Sequence, residues 1–236
     1  MSLVDDIMAK GDESRAQLRE LLCRHKYAGD NKTLVVLAYV DIALEHHEAI
    51  WLLTKSGLSG SACAMVRLMF DVMLRAYWIN GIATEQQIEK ATRDDLKFPP
   101  IARMREDIKE HYGPDKSDLE EPEDLEDLQQ WDEFFRTINE VWKYLNSFTH
   151  SGGLQLERRF TGNDLEPNYS DRDIAHTLNL SNAAMLILVH MFFHFMGYHK
   201  EAYEVMALMR QHSEFVKQYN IRYDEIKSLP HKFSRS

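Results

Sequence analysis

Residues 142–153 have the sequence WKYLNSFTHSGG, and this stretch decides the helical character of the chain. Because each helical residue turns by about 100°, Lys143, Asn146 and His150 fall within about 60° of one another and form one polar stripe. The opposite side is apolar and carries Ile138, Val141, Trp142, Leu145 and Phe148. The pattern predicts an amphipathic helix that buries this apolar side and ends at Gly152-Gly153.

His150 is predicted to stand at the carboxyl end of this helix. The helix dipole favours a protonated imidazole there by roughly 0.3–1 kcal/mol. A histidine so placed can transfer protons or hold an anion. The alternative is that the polar stripe simply faces water, as it does on any amphipathic helix at a protein surface.

The rest of the chain also predicts helices, because Gly and Pro are scarce and no alternating strand pattern persists. The predicted helices are Leu3–His25, weakened around Gly11; Lys32–Lys55; one capped by Ser59 or Ser61 and running to Ile79; Thr84–Asp95; Pro99–Tyr112; Leu128–His150; a helix that starts at a capping box, Ser170–Asp173, and runs to Met196; and His199–Gln218. Ser151–Tyr169 is predicted as a loop. This pattern indicates one all-α domain over residues 1–236, a helical bundle of about seven or eight helices.

The negative charge is concentrated in one part of the chain. The net charge is −10, and residues 83–140 alone hold 18 acidic against 8 basic side chains. Asp115–Asp127 is predicted as an exposed acidic loop insertion. A chain with this balance is not a general nucleic-acid binder, but the neutral remainder leaves room for a local basic site.

Cysteine usage and the amino terminus favour a cytoplasmic location. Cys23 and Cys63 lack CxxC spacing and are predicted to be reduced core thiols. The acidic start MSLVDD does not resemble an export signal. The longest apolar run, residues 183–197, contains His190 and His194 and is too short and too polar to cross a bilayer, so we expect no membrane span.

A second polar row lies on a helix that is otherwise apolar nearly all round. Arg67, Asp71 and Arg75 follow one another at i, i+4 and i+8 between residues 61 and 79. They predict either a ladder of helix ion pairs or an anion site, because one acid cannot neutralise two arginines. Arg158 and Arg159, in the predicted loop after Gly153, are candidates to extend such a site beside His150.

Four segments together resemble the uncharacterised bacterial relatives of HEPN domains. They are GLSGSA at residues 57–62, MVRLMFD at 65–71, DDLKFPP at 94–100 and LNSFTHSG at 145–152. The resemblance covers about residues 30–195 and implies an all-helical, HEPN-like fold. Many HEPN proteins are metal-independent endoribonucleases of toxin–antitoxin and phage-defence systems, and they act as dimers whose sites meet at the interface.

The resemblance also implies a catalytic pattern, an arginine followed after four to six residues by a histidine. His150 matches the histidine, while Lys143 stands at the position of the arginine and Asn146 lies closer. Lysine keeps the charge but loses the bidentate fork. If the protein is active, RNA is its substrate, His150 moves the protons, and Lys143 with Arg67 or Arg75 stabilises the charge on the phosphate. An antitoxin or other protein partner and a homodimer are implied as well.

Two other functions remain open. The first is a HEPN-like module that binds a nucleotide, nucleic acid or protein without cleaving anything. The second is a metal-binding bundle, because His190 and His194 stand at i, i+4, and Glu45, His46 and Glu48 lie on another helix. Since no third and fourth ligand can be assigned from the sequence, we expect neither a metal nor another cofactor.

Overall fold

The computed structural model describes residues 2–27, 29–113, 136, 138–142, 144–150, 152–161 and 164–219. Within them the chain forms nine helices and one small hairpin. The helices are α1 (Leu3–Cys23), α2 (Asn31–Lys55), α3 (Ser59–Gly81), α4 (Glu85–Ala91), α5 (Ile101–Tyr112), α6 (residues 138–142 and 144–149), α7 (Gly153–Glu157), α8 (Asp171–Phe195) and α9 (His199–Gln218). The predicted all-helical architecture is confirmed. The acidic insertion predicted at Asp115–Asp127 lies outside the described residues.

The core is built around α2, α3 and α8. α2 and α3 pack side by side, and α8 lies against both of them and against α1 and α9. α3 buries residues around most of its circumference, as its apolar sequence predicts. α8 is long and apolar enough to cross a membrane by length and composition, yet 72% of its most apolar window is buried inside the protein. It therefore has the burial pattern of a core helix.

The capping residues explain where several helices begin. Ser170 forms a capping box with Asp173, as predicted. Thr84 opens α4, also as predicted, and it does so through a capping box with Gln87. The cap predicted at Ser59 or Ser61 is wrong. Gly57, at φ +71°, lets the Leu58 amide donate to Leu53 at the end of α2, and the Leu58 carbonyl already accepts from Ala62 in α3. Leu58 thus takes the cap position, and no side chain caps α3.

Gly11 does not weaken α1, contrary to the prediction. The helix runs unbroken through this residue. A Cβ added at Gly11 would lie 2.7 Å from Trp51 Cη2 and 2.8 Å from Asn182 Oδ1. The missing side chain therefore allows α1 to approach α2 and α8 closely, which outweighs the low helix propensity of glycine.

Two further predictions need correction. The predicted loop Ser151–Tyr169 contains the short helix α7 and an antiparallel hairpin of β1 (Phe160–Thr161) and β2 (Asp164–Leu165). Cys63 is buried as predicted, but Cys23 is exposed because it lies on the outer side of the last turn of α1. Both thiols are free.

Candidate functional site

The predicted polar stripe of α6 meets α3 through one hydrogen bond. Arg67 Nε donates to Asn146 Oδ1 over 2.6 Å. The Arg67 guanidinium carbon lies 4.5 Å from the centre of the Trp142 ring, so the cation stacks on the indole face. No described carboxylate lies within ion-pair distance of Arg67. Among the described residues, none forms an ion pair with this arginine or a hydrogen bond to its two terminal nitrogens.

The apolar side of α6 holds this arrangement in place. Ile138, Val141, Leu145 and Phe148 are buried at 2%, 4%, 1% and 2% exposure, as the sequence predicts. Trp142, which supports Arg67, is 8% exposed. Because these side chains fix the rotation of the helix, Asn146 must point towards α3.

A second arginine approaches the same indole from α5. The Arg105 guanidinium carbon lies 5.8 Å from the centre of the Trp142 ring. Burial lowers the pKa of Arg105 from its ordinary value, and no carboxylate among the described residues forms an ion pair with it. Two cations thus approach Trp142 without an ion pair from any described residue, in a chain whose overall charge is negative. Sequence reasoning missed Arg105, because one arginine in an acidic segment gives no local signal of a site.

His150 is exposed at the carboxyl end of α6, as predicted. Its amide donates to the Asn146 carbonyl over 3.0 Å, which places the two residues on consecutive turns. Asn146 therefore connects the Arg67 guanidinium to the turn that carries His150. Lys143, the third member of the predicted stripe, lies outside the described residues.

The row on α3 divides into two parts. Arg75 forms an ion pair with Asp71 over 3.0 Å, and its guanidinium carbon lies 4.6 Å from the centre of the Phe98 ring. Arg67 has turned away from this pair towards α6. The ladder interpretation is therefore confirmed for Asp71 and Arg75, whereas Arg67 stands apart from it.

The adjacent arginines after α7 have different environments. Arg158 is 8% exposed, forms an ion pair with Asp173 over 2.6 Å and donates to the Asn168 carbonyl over 3.1 Å. Since Asp173 also completes the capping box of α8, Arg158 joins the hairpin segment to that helix. Asp173 neutralises its charge, so Arg158 has little left for an external anion.

Arg159 is exposed and extends over the first turn of α3. A Cβ added at Gly60 would lie 3.4 Å from an Arg159 terminal nitrogen and 2.7 Å from the Tyr169 hydroxyl. Gly60 and Arg67 are seven residues apart, so they share one face of α3 at a separation of roughly 10 Å along its axis. Arg159, Arg67 and Arg105 thus supply positive charge around the contact between α3 and α6.

The buried groups beside this surface do not supply a nucleophile. Cys63 Sγ lies 3.1 Å from the Thr177 hydroxyl, and burial raises the pKa of the Cys63 thiol to about 11. Burial also raises the pKa of Tyr169 to about 12. Both groups are therefore protonated at neutral pH and act as packing side chains.

The histidine and acid groups proposed as metal ligands remain too few. The His190 and His194 rings stack at 6.1 Å, but no cluster of three or more ligating side chains occurs within the described residues. Burial lowers the pKa of His46. Glu48 is engaged with Arg19 over 2.8 Å, and Glu45 joins no such cluster. The pairing at i, i+4 alone does not make a metal site.

Comparison with known proteins gives one match. The model of a family of unknown function, DUF6988, matches residues 40–218 and so includes α3, α5, α6 and α8. No curated protein and no solved structure matches this chain.

Proposed function

The chain belongs to this family of unknown function, and we propose that it is a HEPN-like protein that binds single-stranded RNA at the contact between α3 and α6. One observation carries the proposal. Arg67 is anchored through Nε to the neutral Asn146 side chain while its two terminal nitrogens have no partner among the described residues. A guanidinium held in this way presents a preorganised pair of donors to a phosphate.

The surroundings of Arg67 fit a nucleic-acid backbone better than an isolated anion. Arg105 adds a second cation at the same indole, and Arg159 adds a third along α3. The spacing of roughly 10 Å between Gly60 and Arg67 lets two phosphates of one strand contact different arginines. Each phosphate contact adds to the affinity and makes it depend on salt.

A direct binding measurement tests this proposal. A fluorescently labelled single-stranded RNA is titrated with the wild type and with Arg67→Gln, and the change in anisotropy gives Kd. We expect Arg67→Gln to weaken binding about tenfold or more, because a charged hydrogen-bonded contact contributes roughly 1.5–3 kcal/mol. The slope of log Kd against log salt should also become shallower by about one unit.

Arg93→Gln is the matched control, because Arg93 is exposed in the turn after α4 and pairs with Glu89. It removes the same charge and should leave Kd almost unchanged. Equal weakening by both variants, or no RNA binding by the wild type, would show that the Arg67 site does not bind RNA.

Metal-independent RNA cleavage is the second candidate, and the exposed position of His150 favours it. In this reaction the RNA 2′-oxygen attacks the adjacent phosphorus while His150 accepts its proton, and the bond to the 5′-oxygen breaks. Return of a proton to the 5′-oxygen leaves a 2′,3′-cyclic phosphate and a 5′-hydroxyl. Arg67, reaching across from α3, takes the role of the arginine absent from α6 and stabilises the charge on the phosphate.

Binding and cleavage are separated by His150→Ala. The variant should still bind the labelled RNA, because the anchored Arg67 is unchanged, but it should no longer produce cyclic-phosphate ends. Induced expression followed by growth and total-RNA integrity gives the cellular readout. Intact RNA and normal growth with the wild type would exclude cleavage at this site and leave the binding proposal to be judged by Kd.

A further inference from the structure

A cavity of about 340 Å³ lies between α8 and α9 and uses none of the residues of the RNA site. Its walls are mainly apolar and include Leu186, Met209 and Val216. Volumes of roughly 300–1,000 Å³ are typical of pockets that hold small organic molecules. The cavity is thus large enough for an aliphatic chain.

The polar groups of the cavity all come from α9. His212 is 7% exposed, and both ring nitrogens are buried without a hydrogen bond of normal geometry, although the Asn179 backbone lies close to the ring. Ser213 and Lys217 stand on consecutive turns of the same helix. Lys217 is exposed and forms no ion pair within the described part of the chain.

We propose that this cavity binds a free medium-chain aliphatic carboxylate. The hydrocarbon chain lies among Leu186, Met209 and Val216, and the carboxylate accepts hydrogen bonds from Lys217 and Ser213. The His212 ring can turn an N–H towards the same carboxylate, which would give a buried ring nitrogen a better-aligned partner than the nearby Asn179 backbone. Apolar walls with a few convergent polar groups are what a small amphiphile requires.

Lys217, the one lysine or arginine among the described residues that line the cavity, decides the class of ligand. A carboxylate gains its attraction, an alcohol gains only the apolar contacts, and an ammonium is repelled. A docked protein would cover a far larger surface, since stable protein interfaces bury more than about 1,000 Å² in total. One charged side chain beside one apolar cavity fits one head group and one tail.

The test uses the full chain and two probes of equal length, decanoate and decylammonium, titrated by isothermal calorimetry. The wild type should bind one decanoate per chain and prefer it over decylammonium by about tenfold, because Lys217 attracts the carboxylate and repels the ammonium. Lys217→Glu should reverse this preference. Because Lys217 is exposed, the variant is expected to fold normally.

Two more variants complete the design. Lys200→Glu makes the same charge change at the other end of α9 and should leave the preference as in the wild type. Ala183→Phe fills the cavity from α8 and should abolish binding of both probes while circular dichroism shows an unchanged helical content. Absence of decanoate binding to the wild type, equal affinity for the two probes, or a preference unaffected by Lys217→Glu would each overturn the proposal.

Discussion

Replacement of Gly11 by alanine tests the close approach of α1 to α2 and α8. In an ordinary helix interior the change stabilises by about 1 kcal/mol. Here the new methyl group would lie 2.7 Å from Trp51 Cη2 and 2.8 Å from Asn182 Oδ1. Trp51 is 1% exposed, and its indole N–H donates to His47 over 2.8 Å, so the ring cannot move aside without losing that bond.

The expected magnitude follows from these two opposing effects. Inserting a methyl group into a filled core costs roughly 1–3 kcal/mol. A contact with an immobile ring places Gly11→Ala in the upper half of that range, and the gain in helix propensity offsets about 1 kcal/mol of it. We therefore expect the free energy of unfolding to fall by about 1–2 kcal/mol.

Urea unfolding followed by far-ultraviolet circular dichroism measures this change. Gly153→Ala is the matched control, because an added Cβ at Gly153, the first residue of α7, meets no atom within 4 Å. It should change the free energy of unfolding by less than about 0.5 kcal/mol. A Gly11→Ala protein as stable as the wild type, or more stable, would refute the close packing of α1 against α2 and α8.

Three other predictions follow from buried groups. Burial lowers the pKa of His47 and of His212 to about 4 from the ordinary value of 6.5. Because the unfolded chain binds more protons than the folded one between these values, the free energy of unfolding should fall as pH drops from about 6.5 towards 4. Urea midpoints that stay constant over this range would contradict the prediction. A thiol reagent at neutral pH should modify the exposed Cys23 and spare the buried Cys63, so mass spectrometry of the native protein should show one adduct per chain. Rapid addition of two adducts would be inconsistent with a buried Cys63. Arg158→Met should lower the free energy of unfolding by about 3 kcal/mol, because it leaves the mostly buried Asp173 carboxylate without its ion-pair partner. A loss below about 1 kcal/mol in the same urea assay would show that the pair contributes no more than a surface ion pair.

The parts of the fold that local sequence determines could be predicted. The apolar side of α6, the start of α4 at Thr84 and the capping box at Ser170 depend on residues within one or two turns, and the structure agrees with each. Gly11 could not be interpreted in this way, because its role depends on Trp51 and Asn182, which come from distant segments. Helix propensity alone predicts that Gly11→Ala stabilises the protein, whereas the contacts in the structure predict that it destabilises the protein.

The candidate site was also predicted only where it depends on local sequence. The stripe containing Asn146 and His150 follows from helical periodicity, but periodicity does not say which cation faces it. The structure separates Arg67 from Asp71 and adds Arg105, which the sequence shows only as one basic residue in an acidic region. Arg158 was also beyond local reasoning, because its partner Asp173 lies 15 residues away across a hairpin.

The short connection between α2 and α3 has a consequence for how the chain assembles. Only Ser56–Leu58 separate the two helices, so bringing them together closes a very small loop and loses little chain entropy. We therefore expect this helical pair to form in the folding transition state, since contacts between near neighbours in sequence are made first. α8 begins about ninety residues after α3 ends, so we expect it to pack onto the pair after the transition state. Substitutions on the buried face of α8 should therefore mainly speed unfolding, whereas substitutions between α2 and α3 should slow folding.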